Sequence, residues 1–149
     1  MVAQEFYERY IMLECLILGD SIAVGTHMFY KECMELAKGG INSWQFNKMF
    51  GDRPSLDMTD YKIVVISLGS NDHKGVKTRD ELVKIRDKIR AKQVYWILPY
   101  NNTEIQKTII DLASKYGDTI IPIRGISKDN VHPTGNGYKM IVDEVKQHR

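Results

Sequence analysis

The chain has 149 residues, of which 43% are hydrophobic and 27% are charged, and its formal net charge is +2. These values are typical of one ordinary globular domain, and the small, scattered positive charge argues against a nucleic-acid partner. No apolar run approaches the roughly 18 residues of a membrane-spanning helix, so no membrane span is predicted. Composition gives no indication of the oligomeric state.

Residues 1–12 are predicted to be an N-terminal extension, and residues 13–149 a single domain. Residues 1–11 are polar and aromatic and lack the basic and apolar regions of a secretory signal. A cytoplasmic location is therefore the default expectation, with export by another route left open. Cys15 and Cys33 are interpreted as core thiols in neighbouring buried strands, because no Cys/His cluster surrounds them.

Predicted strands and helices alternate along the whole domain. Short apolar runs that end at Gly or Pro predict strands, and helical spacing behind a capping residue predicts helices. The strands are expected at 13–18, 32–37, 61–68, 93–98 and 119–123, the helices at 21–30, 43–50, 78–91, 103–116 and 134–145, and a loop at 51–60. This alternation predicts an α/β protein, a three-layer α/β/α sandwich around a five-stranded parallel sheet.

Three local details are also predicted. Gly25 is expected to interrupt the first helix, and Trp44 with Met49 to form the apolar stripe of the second. Thr78, with Glu81 three residues later, has the form of a capping box at the start of the third helix.

The stretch at 16–21, Leu-Ile-Leu-Gly-Asp-Ser, is the apolar run around which the domain is organised. It predicts a buried strand that ends in a tight turn and presents the hydroxyl of Ser21 at the strand's carboxyl end. Ligands of open parallel α/β sheets bind at that end. Ser21 is a candidate nucleophile, and such a nucleophile needs a base to take its proton.

Later turns supply the groups that such a serine needs. Gly40 follows the second strand, where a bare backbone N–H can approach a substrate oxygen, and the amide of Asn71 follows the third. In the last loop, Asp129 lies three positions before His132, so its carboxylate can hold one nitrogen of the imidazole while the other faces Ser21. Each motif alone is an ordinary turn. Their joint occurrence at one sheet edge indicates a serine hydrolase.

Four sequence blocks, in their order along the chain, resemble the SGNH hydrolase family, which comprises the GDSL-type esterases and lipases. The blocks are Gly-Asp-Ser-Ile at 19–22, Gly40, Gly-Ser-Asn-Asp at 69–72 and Asp-Asn-Val-His-Pro at 129–133. The resemblance covers the chain from about residue 13 to its end. Ile22 stands where the family usually has Leu, and Gly40 is preferred to Gly39 on its spacing to the following polar pair.

The resemblance implies a flavodoxin-like sandwich with a triad of Ser21, His132 and Asp129 and with no metal or organic cofactor. It also implies an oxyanion hole made by the N–H of Ser21, the N–H of Gly40 and the side chain of Asn71.

The function predicted from these residues is that of a serine esterase acting on short-acyl, acetyl-type esters of a small molecule or a glycan. Neither 51–60 nor 125–133 has the composition of an amphipathic lid that could cover a long acyl chain. Tyr100 and Asn101, just past the fourth strand, are predicted to line the substrate pocket. Two alternatives stay open, a thioesterase or lysophospholipase on the same fold and a non-catalytic binding module.

Overall fold

Strands and helices alternate along residues 12–148, the part of the chain that this computed structural model describes. The strands are β1 (Met12–Gly19), β2 (Met34–Ala37), β3 (Asp60–Ser67), β4 (Arg90–Leu98) and β5 (Thr119–Pro122). The helices are α1 (Ser21–Met28), α2 (Ser43–Phe50), α3 (Pro54–Asp57), α4 (Thr78–Lys88), α5 (Thr103–Tyr116) and α6 (Gly135–His148). Except for Met12, the predicted N-terminal extension lies outside the described residues.

All five strands are parallel and lie in the order β2-β1-β3-β4-β5. This is the strand order of flavodoxin-like doubly wound folds, so the predicted parallel sandwich is confirmed. The order changes direction between β1 and β3, and the carboxyl ends of all five strands lie at one edge. Within residues 12–148, no helix has the length and apolarity needed to cross a bilayer.

Alternating residues of each strand fill two cores, one on each face of the sheet. Leu16 and Leu18 of β1 pack in the core that is covered by α2, α4 and α5. Ile17, between them, packs in the core that is covered by α1 and α6. Both faces of β1 are therefore buried from Cys15 onward, which explains why this part of its sequence is a continuous apolar run rather than an alternating one.

Several element boundaries differ from those predicted. Helix α1 runs through Gly25, so the predicted interruption is wrong. Glycine is present there because the ring of Tyr138 packs where a side chain would lie, within 2.5 Å of a Cβ built at Gly25. The segment predicted as a loop contains α3, which begins at Pro54, a residue suited to the first turn of a helix. Strand β4 begins earlier than expected, at Arg90, whose guanidinium pairs with Asp60 on β3 at 2.7 Å.

The predicted apolar stripe of α2 is wrong. Phe46 and Phe50 face the core, with ring centroids 5.1 Å apart. Trp44 and Met49 are instead 50% and 40% exposed. An eight-residue helix with four large apolar side chains has two candidate faces, and the pair with i,i+4 spacing is the one that packs on the sheet.

The predicted capping box at Thr78 is also wrong. The Thr78 hydroxyl donates to Asp72 at 2.8 Å, and the Glu81 carboxylate accepts from the side chain of Asn47 at 2.8 Å. Both side chains therefore join neighbouring elements instead of closing their own helix.

Cys15 and Cys33 form a disulfide, so their interpretation as free core thiols is wrong. Leu16 pairs with Met34 across β1 and β2, which places the two preceding cysteines side by side with their Cα atoms 4.7 Å apart. That separation is within the range that a disulfide requires. The bond closes a loop that contains α1 and therefore Ser21.

We expect the disulfide to stabilise the fold by about 3 kcal/mol, because it restricts an unfolded loop of roughly this length. The free energy of unfolding in urea should fall by that amount after treatment with dithiothreitol, and equally in the double variant Cys15→Ala/Cys33→Ala. Alkylation before and after reduction counts the free thiols. Equal unfolding midpoints for the oxidised and reduced forms would contradict this expectation.

Candidate active site

Ser21 is the first residue of α1 and directly follows the turn that ends β1. Gly19 has φ of +139°, and a Cβ built there would lie 1.8 Å from the carbonyl oxygen of Ser67, so only glycine fits. The N–H of Asp20 donates to the same oxygen at 2.9 Å. These contacts hold Ser21 at the carboxyl edge, where the positive end of the α1 dipole favours negative charge.

The carboxyl group of Asp20 is fully buried next to the candidate nucleophile. Its Oδ1 atom accepts from the N–H of Ile22 at 3.0 Å and from the hydroxyl of Ser67 at 3.2 Å. Its Oδ2 atom is buried and has no hydrogen-bond partner among the described residues. Burial raises the pKa of Asp20 to about 6, and the hydrogen bonds that it accepts only partly oppose this effect.

The candidate base, His132, and the carboxylate that pairs with it, Asp129, lie on one narrow loop between β5 and α6. The two sides of this loop are joined by an antiparallel bridge between Ile126 and Pro133 and by the N–H of Ser127, which donates to the carbonyl of His132 at 2.9 Å. Asn130 turns the chain at the tip with φ of +60°, a conformation that Asn tolerates better than most residues. The loop therefore holds its side chains in place through its own backbone.

Asp129 is oriented by three further hydrogen bonds within this loop. Its Oδ1 atom accepts from the hydroxyl of Ser127 at 2.8 Å, the N–H of Val131 at 2.8 Å and the N–H of His132 at 2.9 Å. The Oδ2 atom is left to face the imidazole. Sequence reasoning missed Ser127, although a serine two residues before an aspartate in a turn is a recognisable local signal.

Ser21, His132 and Asp129 form a continuous chain of hydrogen bonds. The Oγ atom of Ser21 lies 2.8 Å from Nε2 of His132, and Nδ1 of His132 lies 2.6 Å from Oδ2 of Asp129. The hydrogen bond from the His132 side chain is the main reason that the pKa of Asp129 is held well below its usual value. The His132 and Asp129 side chains are 42% and 49% exposed, so substrate and water can reach them.

Asn71 and Asp72 join the turn after β3 to the start of α2. The Asn71 amide donates to the carbonyl of Ile41 at 2.9 Å, and because it carries two hydrogens, one stays available for a substrate oxygen. Asp72 accepts from the N–H and the hydroxyl of Ser43 and from the hydroxyl of Thr78, each at 2.8 Å. The amide is therefore held on a rigid turn.

Gly39 and Gly40 form the turn after β2. A Cβ built on Gly39 would lie 3.8 Å from the Cβ of Ser21, so this turn passes beside the serine. Gly40 has φ of +81°, and a Cβ built on it would have no heavy atom within 4 Å. The choice of the Gly40 N–H as an oxyanion donor stays a prediction.

Tyr100 and Asn101 lie in the turn after β4, and both are exposed. None of the hydrogen bonds found within residues 12–148 joins their side chains to Ser21, His132 or Asp129. Their substrate-binding role therefore stays a prediction. In the same part of the chain, no three His, Cys, Asp or Glu side chains are grouped as metal ligands.

Comparison with known proteins gives no match at the level of sequence families. No protein-family model matches the chain, and no curated protein matches it.

Solved structures do match. A GDSL-like lipase from Bacteroides thetaiotaomicron superimposes with a TM-score of 0.69 at 20% identity, over 95% of this chain and 88% of its own. The catalytic domain of peptidoglycan O-acetyltransferase A from Streptococcus pneumoniae gives a TM-score of 0.66 at 18% identity, over 92% of each chain. This chain has the fold of the GDSL-type hydrolases.

An acetylxylan esterase from Geobacillus stearothermophilus shares the GDSL-type fold as well, with a TM-score of 0.62 at 13% identity, over 92% of this chain and 94% of its own. The resemblance that the sequence blocks indicated is thus confirmed at the level of the fold. At these identities, the roles of the residues in this chain depend on its own geometry.

The buried carboxyl of Asp20 predicts an unusual dependence of stability on pH. Its pKa is about 6 in the folded protein against a usual value of 3.8, so between these values the folded state binds a proton that the unfolded chain does not. The contribution of Asp20 to stability should therefore decrease as pH rises from about 4 to about 6, and stay low above that.

Asp20→Asn removes this titration while keeping an acceptor at the Oδ1 position. Both proteins are unfolded in urea from about pH 4 to pH 7. The free energy of unfolding of the variant minus that of the wild type should increase over this range by an amount on the order of 3 kcal/mol. The other ionisable groups are common to both proteins and cancel in the difference. A difference that does not change with pH would contradict a buried, titrating Asp20.

Proposed function

We propose that this protein is a serine esterase that hydrolyses short-acyl, acetyl-type esters through a covalent acyl-enzyme. The single observation that carries the proposal is the unbroken chain of hydrogen bonds from Ser21 through His132 to Asp129, with separations of 2.8 and 2.6 Å. Its position at the carboxyl edge of the sheet, where ligands of such folds bind, supports the same assignment.

In the first half-reaction, Ser21 Oγ attacks the ester carbonyl carbon while its proton passes to Nε2 of His132. Asp129 keeps the imidazole in the required tautomer and stabilises the imidazolium without taking the proton itself. The tetrahedral intermediate then expels the alcohol, which receives the proton from His132. In the second half-reaction, His132 activates a water molecule that hydrolyses the acyl-Ser21 ester and releases the carboxylic acid.

The negative charge on the tetrahedral intermediate requires donors that are fixed in advance. The candidates are the N–H of Ser21, the N–H of Gly40 and the free hydrogen of the Asn71 amide. Each such donor contributes about 2.7–4 kcal/mol to transition-state stabilisation when it is preorganised. The ties from Asn71 to Ile41 and from Asp72 to Ser43 support that preorganisation, since they fix the turn that carries the amide.

The proposed acyl group is short, and the proposed alcohol is a glycan or another polar molecule. The half-exposed side chains of His132 and Asp129 support this choice, because an open site cannot cover a long acyl chain. Two of the structural neighbours, an acetylxylan esterase and a peptidoglycan O-acetyltransferase, are named for acetyl groups on carbohydrate polymers. O-acetylated xylo-oligosaccharides and O-acetylated peptidoglycan fragments are accordingly the first polymeric substrates to test.

Two rival functions make different predictions. A thioesterase or lysophospholipase would prefer long acyl chains, which the acyl-length series described below measures. A non-catalytic binding module would have no reactive serine. A fluorophosphonate probe should label Ser21 in the wild type, and an unlabelled protein would favour the binding module.

Ser21→Ala and His132→Ala should each lower kcat on p-nitrophenyl acetate by at least about 10³-fold, because members of a triad act as a unit. Thermal unfolding should show that both variants stay folded. Ser114→Ala, an exposed serine on α5, is the matched control and should retain full activity. If Ser21→Ala kept a tenth of the wild-type kcat, Ser21 would not be the nucleophile.

Activity should be highest on acetyl and butyryl esters and should not rise with longer chains. Each buried CH₂ contributes about 0.8 kcal/mol to binding, but only where a groove removes it from water. The measurement is kcat/KM on p-nitrophenyl esters with acyl chains of two to twelve carbons. A steady rise to eight carbons or beyond would favour the lipid or thioester alternative.

A further inference from the structure

A cleft of about 450 Å³ lies between α2 and α4, outside the candidate triad. Its size is within the range of small-ligand sites. Trp44 and Asn47 line it together with three basic and three acidic side chains: Lys48, Lys84, Lys88, Asp52, Glu81 and Asp87.

Trp44 lies at the end of this cleft that is nearer to the candidate active site. Helix α2 follows β2 of the parallel sheet, so it begins at the carboxyl edge, and Trp44 is its second residue. The residue before it, Ser43, is held by Asp72, and Ile41 is held by Asn71. From this edge, α2 extends along the cleft for about 12 Å, the length of eight helical residues.

The indole of Trp44 is available to a ligand. Half of the residue is exposed, whereas the other tryptophan, Trp96, is buried in the core. Within residues 12–148, the Trp44 N–H forms no hydrogen bond. The amine of Lys48 lies 5.5 Å from the ring centroid, and such an exposed cation–π contact contributes only about 0.5–1 kcal/mol, so a ligand can displace it.

The charges of the cleft cancel, and this determines the class of ligand that it suits. The lining holds three lysines and three carboxylates, and Lys84 contacts Glu81 at 3.6 Å. Lys88 donates to the carbonyl of Gly51, and Asp87 accepts from the hydroxyl of Tyr116. A balanced lining offers no net attraction to a polyanion such as a nucleic acid. Its polar groups also disfavour an acyl chain. Among residues 12–148, the side chains of Lys48 and Asp52 form no hydrogen bond or ion pair, so a donor and an acceptor stay available beside one aromatic face. That combination suits a neutral ligand rich in hydroxyl groups.

We propose that this cleft is a subsite for a neutral oligosaccharide, with Trp44 as its stacking platform at the end nearest Ser21. The inference rests on the proposed esterase function, because it places the acetylated sugar unit at Ser21 and the following units along α2. Trp44 thereby determines specificity for a carbohydrate chain over a small ester.

Two substrates separate this role from a general effect on the enzyme. Trp44→Ala should lower kcat/KM on O-acetylated xylo-oligosaccharides, mainly through KM, roughly five- to tenfold more than on p-nitrophenyl acetate. Trp44→Phe keeps an aromatic face and should recover most of the difference. Met49→Ala removes an exposed apolar side chain of the same helix outside the cleft. It is the matched control and should leave kcat/KM on both substrates unchanged.

Binding is tested separately from catalysis in the Ser21→Ala variant. Xylohexaose or chitohexaose should change the tryptophan fluorescence of the protein with saturation through the exposed Trp44, since Trp96 is buried, while an anionic heparin hexasaccharide should not. The fluorescence measurement tests the cleft even if the protein proves to have no esterase activity.

Equal losses on both substrates in Trp44→Ala and Trp44→Phe, or no loss on either, would overturn the proposal. So would the absence of any fluorescence change with all neutral oligosaccharides. The wild-type activity on p-nitrophenyl acetate is unaffected by any of these results, so failure of the subsite is distinguishable from failure of the proposed function.

Discussion

The hydrogen bond from the N–H of Asp20 to the carbonyl of Ser67 is the contact on which the rest of the candidate site depends. It joins the carboxyl ends of β1 and β3, the two strands at which the sheet order changes direction. The two strand ends can approach this closely only because Gly19 has no Cβ, which would otherwise collide with the carbonyl oxygen of Ser67. Through this one junction, the start of α1 and the turn that carries Asn71 become neighbours, although they are fifty residues apart in the chain.

The junction has an electrostatic cost. It buries the Asp20 carboxyl, leaves its Oδ2 atom without a partner among the described residues, and raises its pKa. A buried, incompletely satisfied acid destabilises a fold when it is ionised. The same carboxyl caps α1 by accepting from Ile22, so it fixes the backbone N–H groups beside Ser21. Burial of Asp20 therefore lowers the stability of the fold while it gives the backbone at Ser21, the candidate nucleophile, a defined geometry.

The sequence was sufficient for the features that depend on local signals. A buried apolar run ending in glycine predicted β1, and residues of the last loop could be paired because they are only three positions apart. Features that depend on how distant elements meet were missed. Strand register makes Cys15 and Cys33 partners, and the competition between two apolar faces of α2 leaves Trp44 exposed. Thr78 bonds to Asp72, a residue of another turn, so its own neighbours could not reveal its role.

Asp129 and His132 share a loop whose two sides are hydrogen-bonded to each other. Ser21 belongs to a separate element, helix α1, which begins directly after Asp20. The candidate triad therefore consists of a pair held within one loop, His132 with Asp129, and one contact between separate elements, from Oγ of Ser21 to Nε2 of His132. A change in how the loop packs against α1 would therefore alter the contact to Ser21 and leave the pairing of His132 with Asp129 intact.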